Sequence, residues 1–264
     1  MRPSYAVVTV TKVFAMLTLP MFATLAAGIV VTSFLSGIFG MAGGMVLMGL
    51  LLAIMPLSAA MVLHGVTQMT SNGWRAWLWR EHIAWRIVAT FAVGSVLMAL
   101  GFALVAGVPS KGAALLMLGL TPFIALGLPA SWRLNVVRPS HAVASGAICM
   151  ALQLIAGVSG PILDVFFNQS GLDRKGIVST KAAVQTLGHA LKLVYFGAAL
   201  AIAGGAVPPW VLASAVVLAI VGTQVSRRVL DRLSDDQLKR WSRYIIMLLS
   251  FVYIGQGLYV LLGT

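Results

Sequence analysis

The sequence predicts an all-α polytopic membrane protein of two inverted repeats, each a short broken or re-entrant helix pair plus about three full spans. Three observations predict it. Hydrophobic residues make up 60% of the 264 residues, charged residues 9%, and the mean hydropathy is +0.98. A soluble domain carries about 25% charge to face water, so this chain has too little polar surface to be one. Second, the apolar residues gather into segments near the ~20 residues that a helix needs to cross a bilayer. Third, the chain matches itself at an offset of 117 positions. A net charge of +12 suits a nucleic-acid partner, but Lys and Arg lie between the apolar segments and form no basic stripe, so nucleic acid is not expected. The single cysteine, Cys149, excludes an internal disulfide and a multi-cysteine metal site, and no cofactor or metal is implied.

The elements follow in order. The first span is 13–35, read as a retained helix although Lys12 precedes it and small residues end it, as in a signal peptide. A glycine-rich stretch from Ser36 to Gly44 follows, and then an apolar piece, 45–55, too short to cross alone. Full spans come at 57–78, 83–107 and 112–127. The second half runs 142–157, breaks at Gly157-Val-Ser-Gly160, and continues as the short 161–167 before spans at 176–202, 210–225 and 244–262. Short apolar pieces beside glycine clusters indicate half-helices inside the membrane. The first repeat is thus 1–128, a cytoplasmic linker 129–141, and the second repeat 142–264.

Charge sets the orientation. Arg75, Arg80 and Arg86 surround the connection near residue 80, Arg133 and Arg138 lie between the halves, and Arg227, Arg228, Arg232, Lys239, Arg240 and Arg243 precede the last span. Connections 55–58, 108–111 and 203–209 hold one base in total, Lys111. The positive-inside rule places the first set in the cytoplasm and the second outside, with both termini outside and only Arg2 and Lys12 on the wrong side. Trp74, Trp77, Trp79 and Trp85 read as an interfacial belt.

The offset of 117 relates Gly40 to Gly157, Gly43 to Gly160, Gln68 to Gln185 and Arg75 to Lys192. Corresponding loops then fall on opposite sides and exchange Arg-rich for Arg-poor, as inverted copies require. Glycine turns let backbone N–H groups approach a ligand, and the helix start that follows carries partial positive charge. Ser36, Gly40, Gly43, Gly44, Gly157, Ser159 and Gly160 are therefore candidate anion-binding positions. The rival reading is close helix packing through small residues.

Two polar stripes have helical spacing. His64, Thr67, Gln68, Ser71, Asn72 and Arg75 form the first; Lys181, Gln185, Gly188, His189 and Lys192 form the second. Polar groups inside a bilayer face the protein interior or a watery path. Gln68 and Gln185 offer N–H donors to oxyanion oxygens, and Lys181 and Lys192 offer charge. His64 and His189 suit substrate contact or interhelical hydrogen bonds alike, and Arg75 reads as an interfacial topology charge. Asp164 is the one carboxylate inside an apolar segment, with Leu47 at its repeat position. It suits proton coupling, or an ion pair with Lys181 or Lys192.

The stretch Ser33-Phe-Leu-Ser-Gly-Ile-Phe-Gly-Met-Ala-Gly-Gly-Met-Val-Leu-Met-Gly-Leu-Leu-Leu52 resembles the first-repeat signature of the sulfite exporter TauE/SafE family. Gly65-Val-Thr-Gln-Met-Thr-Ser71 resembles that family's next helix, and Ala156-Gly-Val-Ser-Gly-Pro161 its weaker second copy. The family's three-glycine run reads Met41-Ala-Gly-Gly here and Val-Ser-Gly-Pro in the second half. The resemblance implies a secondary transporter moving a small anion, sulfite or an organosulfur anion, across the inner membrane. A passive anion channel shares every one of these features. An intramembrane enzyme built on Asp164 with His64 or His189 is the weaker rival, since no HExxH, aspartate pair or Ser/His/Asp spacing supports it. The lipid bilayer, a small anionic substrate and a second copy of the chain are the expected partners.

Overall fold

The computed structural model describes residues 18–105, 107–132, 134–230 and 235–263. Arg2, Lys12, Arg133, Arg232 and the start of the 13–35 span lie outside them. Among the described residues there are ten α-helices, two single 3₁₀ turns and no strand.

The first helix, α1 (Leu19–Phe39), begins with Pro20 in its first turn, where the missing N–H costs nothing, and ends at Gly40. Gly40 has φ +65°, a backbone that an L side chain adopts only at a cost of about 1–2 kcal/mol. The chain then turns back as α2 (Met41–Ile54). Gly28 lies against Leu50, and Gly43 against the backbone of Thr32 and Ser36, so the two helices form a tight antiparallel hairpin. Met55 is extended before Pro56, which ends α2 and starts α3 (Leu57–Leu78). A 3₁₀ turn at Arg80–His82 leads to α4 (Trp85–Val105). Next comes α5 (Lys111–Gly127), whose Ser110 side chain caps the N–H of Ala113.

The second half opens with α6 (Pro139–Ile155), whose first residues fall inside the 129–141 linker. It breaks at Gly157, again at positive φ (+80°), and continues as the eight-residue α7 (Gly160–Phe167). Asp173 caps the N–H of Gly176 to start α8 (Arg174–Ile202), which is followed by α9 (Pro209–Leu230) and α10 (Asp235–Leu262).

Four segments are long and apolar enough to cross a membrane: Leu19–Ile38, Trp85–Val105, Pro209–Ser226 and Arg240–Leu262. Leu97, Leu104, Val217, Leu248 and Phe251 on three of these helices face outward, as a lipid-facing surface requires. The polar helices α3 and α8 pack along one another at the centre. Around them α4 pairs with α6, α9 with α1, and α5 with α10, while α9 also meets α3 and α4 meets α8.

The first break differs from the sequence reading. Ser36 to Phe39 remain helical, so the first break is the single residue Gly40, and Gly43 and Gly44 lie within the first turns of α2. A glycine-rich run inside apolar surroundings keeps its helical hydrogen bonds except where φ must change sign.

Candidate functional site

The two breaks and the inward faces of α3 and α8 meet at one buried cavity. From the first half Gly40, Gly44, His64, Gln68 and Asn72 line it; from the second, Gln153, Val158, Ser159, Gly160, Gln185 and His189. Its volume is about 20 Å³. One water needs about 10–15 Å³ on the same measure, so this conformation leaves less room than a tetrahedral or pyramidal oxyanion needs.

Each wall has a local cause. The Gln68 side chain lies 3.4 Å from Ser36 Oγ, which ties α3 to the first hairpin. A Cβ on Gly44 would sit 3.4 Å from Gln68 Oε1, so glycine keeps the backbone of α2 next to the carboxamide. His64 Nε2 donates to the Gly44 carbonyl at 3.0 Å, since a carbonyl only accepts. Lys192 Nζ donates to His64 Nδ1 at 2.7 Å and to the Gly157 carbonyl at 3.0 Å. The rings of His64 and His189 are 5.4 Å apart. Gln153 Nε2 is 3.3 Å from His189 Nδ1, and its buried Oε1 has no protein partner.

The sequence candidates divide into three groups. Gly40, Gly44, His64, Gln68, Ser159, Gly160, Gln185 and His189 line the cavity together. Ser36, Gly157 and Lys192 stand behind it, touching a lining residue or a turn carbonyl. The others have separate work. Gly43 permits the hairpin contact; Thr67 donates to the Leu63 carbonyl at 2.8 Å; Ser71 shares a 2.7 Å hydrogen bond with Thr223 of α9. Lys181 and Asp164 form a partly exposed ion pair and are not among the residues that line the cavity. Asp164 therefore takes Lys181 as its partner, and among the described residues no carboxylate pairs with Lys192. Arg75 also departs from its reading as an interfacial charge. It is buried, donates to the Ser36 carbonyl at 3.0 Å and pairs with the Asn72 side-chain oxygen. Trp77 and Trp85 are exposed as a belt requires, while Trp74 donates to Gln224 of α9 at 2.9 Å.

A family model described as sulfite exporter TauE/SafE matches residues 24–254, from within α1 into α10. The chain belongs to that family. No curated protein and no solved structure matches it. Membership makes it a membrane protein of a transporter family. In this TauE/SafE chain the match spans both glycine breaks and both polar helices, so the cavity lies wholly within the family region.

Three cavity residues were missed as candidates, among them Val158, read only as part of the second glycine turn. Gln153 was not singled out at all, and Asn72 was read as part of a stripe without a role. Yet the offset of 117 carries Ser36 to Gln153 and Asn72 to His189. The repeat itself held the signal: a position chosen in one half nominates its partner in the other.

Proposed function

We propose that the protein is a secondary transporter that moves a small anion, sulfite or an organosulfur anion of the sulfonate class, across the inner membrane as a multi-pass protein. Two inverted repeats, 1–128 and 142–264, rock about the central cavity and expose it to each side in turn. Exchanging the halves helix for helix preserves the main packing pairs. The α4–α6 contact becomes α9–α1, α3–α9 becomes α8–α4, and α3–α8 and α5–α10 map onto themselves. That invariance supports the repeat independently of residue identity.

One observation carries the anion reading: both helix breaks reach the same cavity, the first through Gly40 and the second through Val158, Ser159 and Gly160, together with the carboxamides of Gln68 and Gln185. Backbone and carboxamide N–H groups suit oxyanion oxygens without a fixed cationic partner. The small volume supports a conformation too tight for the substrate, from which substrate entry requires the hairpins to part.

Proteoliposome uptake of radiolabelled sulfite, with sulfate, taurine and sulfoacetate as competitors, tests this. The wild type is expected to accumulate label above its bath concentration. Replacing both carboxamides, Gln68→Ala with Gln185→Ala, is expected to lower uptake roughly 100-fold, from the loss of two hydrogen bonds to a charged group. Uptake that only equilibrates makes the protein a channel. Normal uptake by the double variant removes these two residues from the site.

A further inference from the structure

Lys192 is fully buried, and its contacts are a histidine nitrogen and a carbonyl oxygen. A cation in a low-dielectric interior with no carboxylate beside it is costly, so such a group is either neutral or supplied with a negative charge from elsewhere. Asp164, the carboxylate nearest in the sequence pattern, is held by Lys181. We propose that the His64–Lys192 pair is the proton carrier of transport, taking up ~1 proton as each anion enters the cavity and giving it up as the anion leaves. This rests on the anion-transport reading above.

The hydrogen-bond directions fix what the pair can hold. Gly44 O accepts from His64 Nε2, so that nitrogen carries hydrogen in either charge state of the ring. The remaining site, His64 Nδ1, faces Lys192 Nζ at 2.7 Å. One excess proton sits comfortably on that line, as ammonium donating to imidazole or as imidazolium donating to amine. Two would set donor against donor and like charge against like charge. The pair is therefore a one-proton element with two charge states, neutral and +1.

His64 lines the cavity while its two ring nitrogens engage Gly44 O and Lys192, so an anion seated there lies beside the excess charge. Each charge lowers the cost of the other, and the two enter together. The same pair touches both breaks, through Gly44 O of the first hairpin and Gly157 O of the second. Proton and anion occupancy is thereby felt by the two elements that must move.

The surrounding groups leave this assignment standing. On α8, His189 faces His64 across 5.4 Å and is hydrogen-bonded to Gln153. On α3, Arg75 is engaged with Ser36 and Asn72. Cys149 on α6 faces Ser145, and the α7 carboxylate Asp164 is paired. Arg86 on α4 and the Arg80–His82 turn are exposed at the helix ends, while α1, α2 and residues 209–226 of α9 bring no titratable side chain.

The test uses purified full-length protein in vesicles loaded with a pH-sensitive dye, with radiolabelled sulfite as the probe. Anion flux and proton flux are read together, and counterflow exchange is read separately. The wild type is expected to exchange label and to move ~1 proton per anion. In Lys192→Met and in His64→Gln the proton-to-anion ratio is expected to fall at least roughly tenfold, with measurable counterflow remaining in at least one of them. Asp164→Asn is expected to keep the wild-type ratio. No counterflow in the wild type sinks the transport reading itself. Wild-type counterflow without proton movement, an unchanged ratio in both variants, counterflow lost in both, or a ratio abolished in Asp164→Asn each overturns the proton assignment alone.

Discussion

Arg75 and Lys192, 117 positions apart, each donate to a carbonyl at or beside a helix break. Arg75 donates to Ser36 O in the last turn of α1, and Lys192 to Gly157 O just beyond α6. The last carbonyls of a helix lack intrahelical donors and carry partial negative charge, so a buried cation there contributes up to about 2 kcal/mol. Arg75→Met is accordingly expected to lower stability by about 1–3 kcal/mol, because it leaves a buried carbonyl and the Asn72 side chain without their donor. Arg80→Met, which removes a guanidinium lying on the exposed Trp77 ring, is expected to change it by under ~1 kcal/mol. Thermal unfolding in detergent compares them, and equal losses would refute the capping role. Sequence alone read Arg75 as a topology charge. Near the end of an apolar run, a buried capping arginine and an interfacial one look alike, and only the contact with residue 36 tells them apart. The two glutamines were legible because a carboxamide in mid-span has no interfacial explanation.

Among the elements, the first hairpin depends on glycines that differ in what surrounds them. A Cβ at Gly43 would lie 2.2 Å from Thr32 O and 2.3 Å from Ser36 N, both backbone atoms that cannot yield without parting the helices. Gly43→Ala is expected to destabilise the protein by about 1–3 kcal/mol. At Gly44 the same methyl meets Gln68 at 3.4 Å, ordinary contact, but on the cavity wall. Gly44→Ala is expected to leave the unfolding midpoint nearly in place and to weaken sulfite uptake roughly tenfold, by crowding a small space. Unfolding curves and vesicle uptake on the pair read both effects. A Gly44 variant that unfolds like Gly43→Ala would make the first turn of α2 a packing element only. The sequence marked both breaks through their glycines, but it placed all of them in the turn. Composition shows where glycines cluster; which one needs positive φ and which ones admit a neighbouring helix follows from the fold-back.

For the whole molecule, sidedness joins the charge pattern to the packing. The turn at Arg80–His82 lies by the start of α8, where Ala84 N–H donates to Thr180 Oγ1 at 2.9 Å. The connection after α7 joins the segment before α6, with Asn135 Nδ2 donating to Gln169 O at 2.6 Å. At the far end of α8, Tyr195 donates to Gly107 O, next to the Arg-poor connection before α5. The basic connections near residues 80, 138 and 174 thus share one end of the bundle, and the connections near 108 and 206 belong to the other. The positive-inside rule makes the first end cytoplasmic. Because Cys149, the one cysteine, is buried, introduced cysteines can be labelled over a low background. In intact cells a membrane-impermeant maleimide is expected to label Val108→Cys and Ala206→Cys. His82→Cys and Gln169→Cys, also exposed, should react only after permeabilisation. Reversed labelling would invert the protein and put the Arg-rich ends outside, against the charge rule. Labelling that split either pair would break the correspondence between halves. The proposed alternating-access scheme requires the two halves to run oppositely through the same bilayer, so it would fail with that correspondence.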